Sequence, residues 1–228
     1  MILLTRPKQQ SEKITGRLKM LGYETLILPL LKIKNLHYEV KDKRYDAIIV
    51  TSQNSISFLH KNQWIKSKLI YTAGDVTKNI LESIDCEKVI SANGNAKDLN
   101  KMLVDKINIY SKILYLRGNH ISYDIIKSLK QKGFYVIDYV VYHSIARRYI
   151  REKILKVIKE SVFTILFYSQ RSAGIFFQLA KKYSLDMKNK QAICISNLVA
   201  EKVQKLDWCK ISISKSCNEN SMLELLND

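Results

Sequence analysis

The chain has 228 residues, 46% of them hydrophobic, and a formal net charge of +17 at pH 7. Such a length builds one large domain or two of roughly 100 residues each, and no apolar stretch approaches the roughly 18 residues of a membrane span. The charge comes from 30 Lys and 8 Arg, with only 7 Gly and 2 Pro in the chain, a profile that AT-rich coding would give, so charge alone does not choose between nucleic acid, a small polyanion and solvated lysine faces.

In chain order, MILLTRPKQ (1–9) puts its apolar run before its basic residues. That is the reverse of a secretory signal, and the expectation is a cytoplasmic protein. ILLTRP reads as a strand. Ser11 then reads as a helix N-cap, Ile14 and Leu18 as one apolar helix face, and Gly22 as the left-handed C′ residue. LILPLLKI (26–33) follows as a second strand, and LLKIKNLHYEV (30–40) is a long extended run.

YDAIIVTSQNS (45–55), LIYTAGDVTKNIL (69–81) and KVISA (88–92) each carry a short apolar strand, and the first two run on into a polar turn. AKDLNKMLVDKI (96–107) has helical periodicity. ILYLRG (113–118) opens a second series, with Ser122, Ile125, Leu129 and Gly133 spaced as in the first, then YVIDYVVY (135–142). RRYIREKILKVIKE (147–160) places Ile150, Ile154 and Ile158 on one face of a basic amphipathic helix. FTILFYSQRSA (163–173), QAICISNLVAEKV (191–203) and KISIS (210–214) complete the chain's strands.

The two series are copies. A shift of 111 residues lays Arg6 on Arg117, Ser11 on Ser122, Ile14 on Ile125, Leu18 on Leu129 and Gly22 on Gly133. With a slightly larger offset AIIVTSQNS overlies ILFYSQRSA, and LIYTAGDVTKNIL overlies QAICISNLVAEKV. Strands alternating with helices predict an α/β fold of two flavodoxin-like parallel sheets, about five strands each. Pattern alone fits contiguous halves, 1–110 and 111–228.

Several chemistries lack their signature. There is no GxGxxG or GxxxxGK[ST] for dinucleotides or nucleoside triphosphates, and no HExxH. Cys86, Cys194, Cys209 and Cys217 form no CxxC and are expected as reduced thiols. His37, His60, His120 and His143 show no triad partners. No Arg/Lys stripe interleaves with aromatics, so no nucleic acid is expected as partner. What remains is a set of turns, TSQNS, AGDVT, LRGNH, YSQRS and ISNLV, where parallel strands lead into helices. Ligands of such sheets sit beyond the strands' carboxyl ends, where hydroxyls, amides and helix N–H groups suit carboxylates. Each Ser, Thr or Asn there is equally a plain N-cap.

LLTRP, L-P-L at 28–30, YDAIIVTSQNS, YTAGDVT, ILYLRGN, VVY at 140–142 and FTILFYSQRSA together resemble the uroporphyrinogen-III synthase family over essentially the whole chain. The resemblance implies a discontinuous first domain, 1–34 plus 147–228, and a second at 37–143. Linkers at about 35–37 and 143–147 would form a two-stranded extended connection, and the domains would enclose a cleft. It implies a monomeric, cofactor-free, metal-free lyase of tetrapyrrole and haem biosynthesis, with no membrane partner.

Its substrate would be hydroxymethylbilane, a linear tetrapyrrole with eight carboxylates, handed over from hydroxymethylbilane synthase. The product would be uroporphyrinogen III, closed with loss of water and inversion of ring D. The resemblance assigns Tyr142 as the acid assisting hydroxyl departure. It matches Thr51, Ser52, Thr77, Ser169 and Arg171 to substrate-binding positions; Asn54, Gly118, Asn119, Ser196 and Asn197 in the same polar turns, and Arg6 and Arg117 directly after their strands, are further substrate-binding candidates. One departure stands out: the second copy of the glycine turn reads Ser196-Asn197-Leu198-Val199, without the hydroxyl that Thr77 supplies in the first. Two other classes compete, a non-catalytic two-lobed anion-binding protein and a basic nucleic-acid-binding protein.

Overall fold

The structure is a computed structural model that describes residues 1–226. In chain order it holds β1 (Ile2–Leu4), α1 (Lys8–Met20), β2 (Thr25–Ile27), β3 (Leu31–Asn35), β4 (Ala47–Val50), α2 (Ile56–Leu59) and β5 (Leu69–Thr72). Next come α3 (Asp75–Glu82), β6 (Lys88–Ser91), α4 (Ala96–Lys106), β7 (Lys112–Gly118), α5 (Ile125–Gln131) and β8 (Tyr135–Ala146). The chain ends with α6 (Glu152–Ser161), β9 (Thr164–Phe167), α7 (Gln170–Lys182), β10 (Gln191–Cys194), α8 (Asn197–Ala200), β11 (Lys210–Ile213) and α9 (Glu219–Glu224). None of the described helices is long and apolar enough to cross a membrane.

Two compact units result, Met1–Lys32 with Ile145–Asp228, and Ile33–Ser144. The first contains a sheet in the order β11-β10-β9-β1-β2, the second a sheet in the order β3-β8-β7-β4-β5-β6. Since β1 pairs with β9, contiguous halves are not the folding units. With β3 set aside, the second order is the first with its chain order rotated: β7 and β8 stand where β1 and β2 stand. Both are then flavodoxin-like, 2-1-3-4-5.

Register carries the equivalence down to single residues. One transverse row of the first sheet is Thr25, Ile2, Thr164, Gln191, Lys210. Its counterpart in the second is Val136, Ile113, Ala47, Leu69, Lys88. Ala47 therefore falls on Thr164, not on Ile165 as the superposed AIIVTSQNS and ILFYSQRSA strings have it. The one-residue correction lays Ser52 on Ser169, Gln53 on Gln170 and Asn54 on Arg171.

Strand sequences explain the two-sided burial. In β4, Ile48 and Val50 enter one apolar cluster while Ala47 and Ile49 enter another on the opposite face. In β9, Ile165 and Phe167 point to one cluster and Leu166 to the other. Period-2 alternation with both faces apolar is what helices on both sides of a parallel sheet require. Each fully buried Leu or Ile contributes roughly 1.5–3 kcal/mol.

Ile14, Leu18, Ile125 and Leu129 are fully buried, as the helix periodicity predicts. The serine caps are not formed. α1 begins at Lys8 directly behind Pro7, whose fixed φ suits a helix start, so Ser11 is an interior residue whose hydroxyl donates to the Arg6 carbonyl at 3.0 Å. In the second copy Asp124 caps α5, accepting from the Lys127 N–H, and Ser122 lies in the preceding loop. The basic helix also starts later than its periodicity suggests, at Glu152, with Ile150 buried in the segment leading to it. α4 has a full capping box from Asn95 and Asp98.

Gly22 and Gly133 sit at C′ with φ of 83° and 88°, a region that costs an L side chain roughly 1–2 kcal/mol. Gly16, inside α1, has no heavy atom within 4 Å of an added Cβ. Urea denaturation should therefore show Gly22→Ala destabilised by about 1 kcal/mol and Gly16→Ala stabilised by about 0.5–1 kcal/mol.

Candidate functional site

In the second unit the carboxyl ends of β4, β7 and β8 bring several expected residues together. The β7–β8 ladder runs evenly to the pair Arg117–Val140, then slips so that Gly118 opposes Tyr142. The bulge aims the tyrosine ring at the glycine. A Cβ built on Gly118 would lie 2.5 Å from the Tyr142 Cζ and 2.7 Å from its hydroxyl oxygen. Only glycine leaves room for the phenol at this point. Tyr142 is 8% exposed, so its ring belongs to the core.

Asn119 locks the same strand end. Its backbone N–H donates to the Tyr142 carbonyl at 3.1 Å, and its side-chain oxygen accepts from the Ser144 N–H at 2.9 Å. Thr51 shares a 3.0 Å hydrogen bond with the hydroxyl of Tyr115 on β7. Burial pushes the Tyr115 phenol up, and the Thr51 bond partly offsets this. Arg117 donates through Nε to Asp138 at 2.7 Å and through Nη1 to the Gly118 carbonyl at 3.0 Å. Ser52 takes an extended backbone, and its Oγ accepts from the Asn54 N–H at 3.2 Å.

Thr77 lies on α3, whose first residue follows Gly74 in extended conformation. It is 7% exposed, and its counterpart Val199 on α8 is 3% exposed. Both positions face inward, where Thr and Val have the same shape. The missing hydroxyl thus leaves packing intact and removes one buried polar group.

In the first unit Ser169 occupies the place of Ser52. It too is extended, and its Oγ accepts from the Ser172 N–H at 3.1 Å to cap α7. Both serines commit an acceptor lone pair to the cap; Ser52 keeps its O–H to donate, whereas Ser169 donates its own to the Ser172 hydroxyl at 3.0 Å. Arg171 follows in the first turn of α7, half-buried and engaged in interactions of its own. Ser196 precedes α8 in extended conformation, half-buried, with exposed Asn197 beside it.

Arg6 stands at the position of Arg117 and is likewise ion-paired. Its Nε donates to Gln10 at 2.9 Å, its Nη1 to Glu219 at 3.2 Å, and its guanidinium lies 4.6 Å from the Tyr168 ring centre. Arg17 binds the second Glu219 oxygen at 3.1 Å, so one carboxylate at the start of α9 is tied to α1 through Arg17 and to the turn before α1 through Arg6. Burial, with the Glu219 charge adding to it, pushes the Tyr168 phenol strongly up, and its hydroxyl has no hydrogen-bond partner among the described residues. Tyr115, Asp138, Glu219 and Tyr168 escaped the sequence reading. Only the register reveals the first two, which sit opposite one another on β7 and β8.

The Gly118 seat is open to direct test. Gly118→Ala should cost about 1–3 kcal/mol through overpacking against the ring, measured by denaturant unfolding. In a Tyr142→Ala background that extra cost should vanish, because the clash of an added Cβ is with the Tyr142 ring.

Comparison with known proteins agrees with this architecture. Residues 12–224 match the family model described as Uroporphyrinogen-III synthase HemD. The porphyrin biosynthesis protein HemD of Ruminiclostridium josui is 23% identical over 99% of the chain. The chain spans about half the length of that relative, 48% of it. Among solved structures, the uroporphyrinogen-III synthetase of Helicobacter pylori 26695 matches with a TM-score of 0.71 at 20% identity, covering 99% of this chain and 97% of that one. A mutant uroporphyrinogen III synthase of the extremely thermophilic bacterium Thermus thermophilus matches with a TM-score of 0.59 at 11% identity, covering 100% and 97%. At these identities the structures speak for the fold, and the family match over nearly the full length speaks for descent: the chain belongs to the uroporphyrinogen-III synthase family.

Proposed function

We propose that the chain closes hydroxymethylbilane to uroporphyrinogen III, with loss of water and inversion of ring D. The observation that carries this reading is the family match over residues 12–224. The duplicated rims support it: Ser52 and Ser169 each sit at the carboxyl end of a buried strand, and each belongs to a turn rich in hydrogen-bonding groups. Hydroxyls, the side chains of Asn54, Asn119, Arg171 and Asn197, and backbone N–H groups are suited to the eight carboxylates of the bilane.

The chemistry asks for position more than for reagents. Unaided, the bilane closes to the non-inverted isomer I, so the protein must hold the chain where the substituted carbon of ring D attacks first. The step begins when the hydroxymethyl C–O bond breaks and the oxygen leaves as water with an added proton. Tyr142 is the proposed donor of that proton, or of a hydrogen bond to the departing oxygen. General-acid assistance of this kind is worth about 10²–10⁴-fold. Gly118 seats the phenol and Asn119 holds its strand.

In this reading Arg6 and Arg117 are held by Glu219 and Asp138, so any carboxylate they receive shares them with a resident partner. The enzyme works as a cofactor-free lyase in the cytoplasm, as a monomer, and takes the bilane from hydroxymethylbilane synthase.

Enzymatically made hydroxymethylbilane supplies the test. Isomer III should predominate after oxidation and separation of the porphyrins; isomer I alone, at the spontaneous rate, sinks the reading. Tyr142→Phe should lower kcat by about 10²-fold or more with the melting temperature nearly unchanged. Unaltered kcat removes Tyr142 from the mechanism.

A further inference from the structure

Eleven large hydrophobic side chains stand exposed among the described residues, and one pair of them falls at equivalent positions of the two copies. Val76 is 64% exposed and Leu198 55% exposed. Val76 lies seven residues past Leu69, and Leu198 seven past Gln191, members of the matched transverse rows. Register gives the others no such match: Met20 falls on Gln131, Leu21 on Lys132, Tyr135 on Glu24, Phe163 on Asp46 and Ile213 on Ser91. Ile109, Tyr110 and Tyr149 lie outside the equivalent strands and helices, and Ile145 lies on the end of β8 beyond the stretch that pairs with β7.

Scattered single exposed aliphatics need no explanation. A pair preserved at one register position, while neighbours such as Asp75 and Asn197 or Thr77 and Val199 have diverged, is a different observation. Neither side chain contributes to its unit's core at that exposure, and a β-branched Val gains nothing from helix propensity. Each lies at the carboxyl rim of its sheet, in the turn that carries a candidate polar side chain, Thr77 in one unit and Ser196 in the other.

We infer that Val76 and Leu198 contact the substrate directly, as apolar bearings against which pyrrole rings pack. This inference rests on the proposed function and deepens it. A tetrapyrrole with charged arms also has flat, apolar ring faces and methylene bridges. Hydroxyls and N–H groups hold the arms, and nothing polar favours the faces. An aliphatic side chain beside each polar turn supplies that contact and limits how a ring can rotate.

Steady-state kinetics with isomer analysis tests it, using hydroxymethylbilane and the Val76→Ser and Leu198→Ser variants. Each should raise KM about tenfold, leave the melting temperature unchanged, and increase the share of isomer I as loosely held bilane escapes and closes by itself. Val76→Ile and Leu198→Met should restore values near wild type, and Met20→Ser, at a more exposed position away from the rim, should change nothing. Serine variants with wild-type KM and isomer ratio overturn the inference while leaving the synthase reading standing. Wild-type protein that yields isomer I alone overturns that reading and this inference with it.

Discussion

Everything in this chain depends on parallel pairing around one interior strand of each unit. β1 is flanked by β2 and β9, and β7 by β8 and β4. A parallel ladder puts the carboxyl ends of all its strands on one rim, and each return to the opposite rim needs a covering segment, helical for most of these strands. The same pairing that buries Leu3, Ile48, Leu114 and Ile165 thereby collects every strand-to-helix turn of a unit on a single edge. The candidate residues gather there because the hydrogen-bond pattern gathers the turns that carry them.

Much of the architecture was legible because both faces of each sheet are covered. Runs such as AIIV and TILF are apolar throughout, a pattern that only a two-sided core maintains. The glycines at 22 and 133 were equally plain, since left-handed C′ geometry discriminates sharply against side chains. Capping was less legible. Pro7 and Asp124 begin their helices, and Ser11 and Ser122 look like caps only because several residues near a helix start are capable of capping. The one-residue slip between β4 and β9 has a similar origin. An apolar run carries no internal mark of its register, and the ladder alone fixes it.

The candidate residues divide by what already holds them. Ser52 and Ser169 double as caps, so their placement is secured by folding, and each hydroxyl stays at a strand end where an anion would sit. Arg6 and Arg117 were visible in sequence, but their partners Glu219 and Asp138 were not, because those come from elements distant in the chain or across the ladder. Tyr142 shows the same principle at closer range. Its sequence context gives only VVY, whereas the bulge at Gly118 and the bonds of Asn119 make it a fixed phenol over a bare backbone. In the proposed reaction, orientation catalysis needs such fixed groups, since the uncatalysed closure always competes.

The proposed function requires that the turns at the carboxyl rims of both sheets bind carboxylates of the tetrapyrrole. Amide hydrogen exchange with and without uroporphyrinogen III, kept reduced, measures this most directly. The account predicts slowed exchange at the turns around 52–55, 74–77, 169–172 and 196–200, in both units and at the same ligand concentration. Protection at the amino ends of the strands, or in one unit alone, would contradict it.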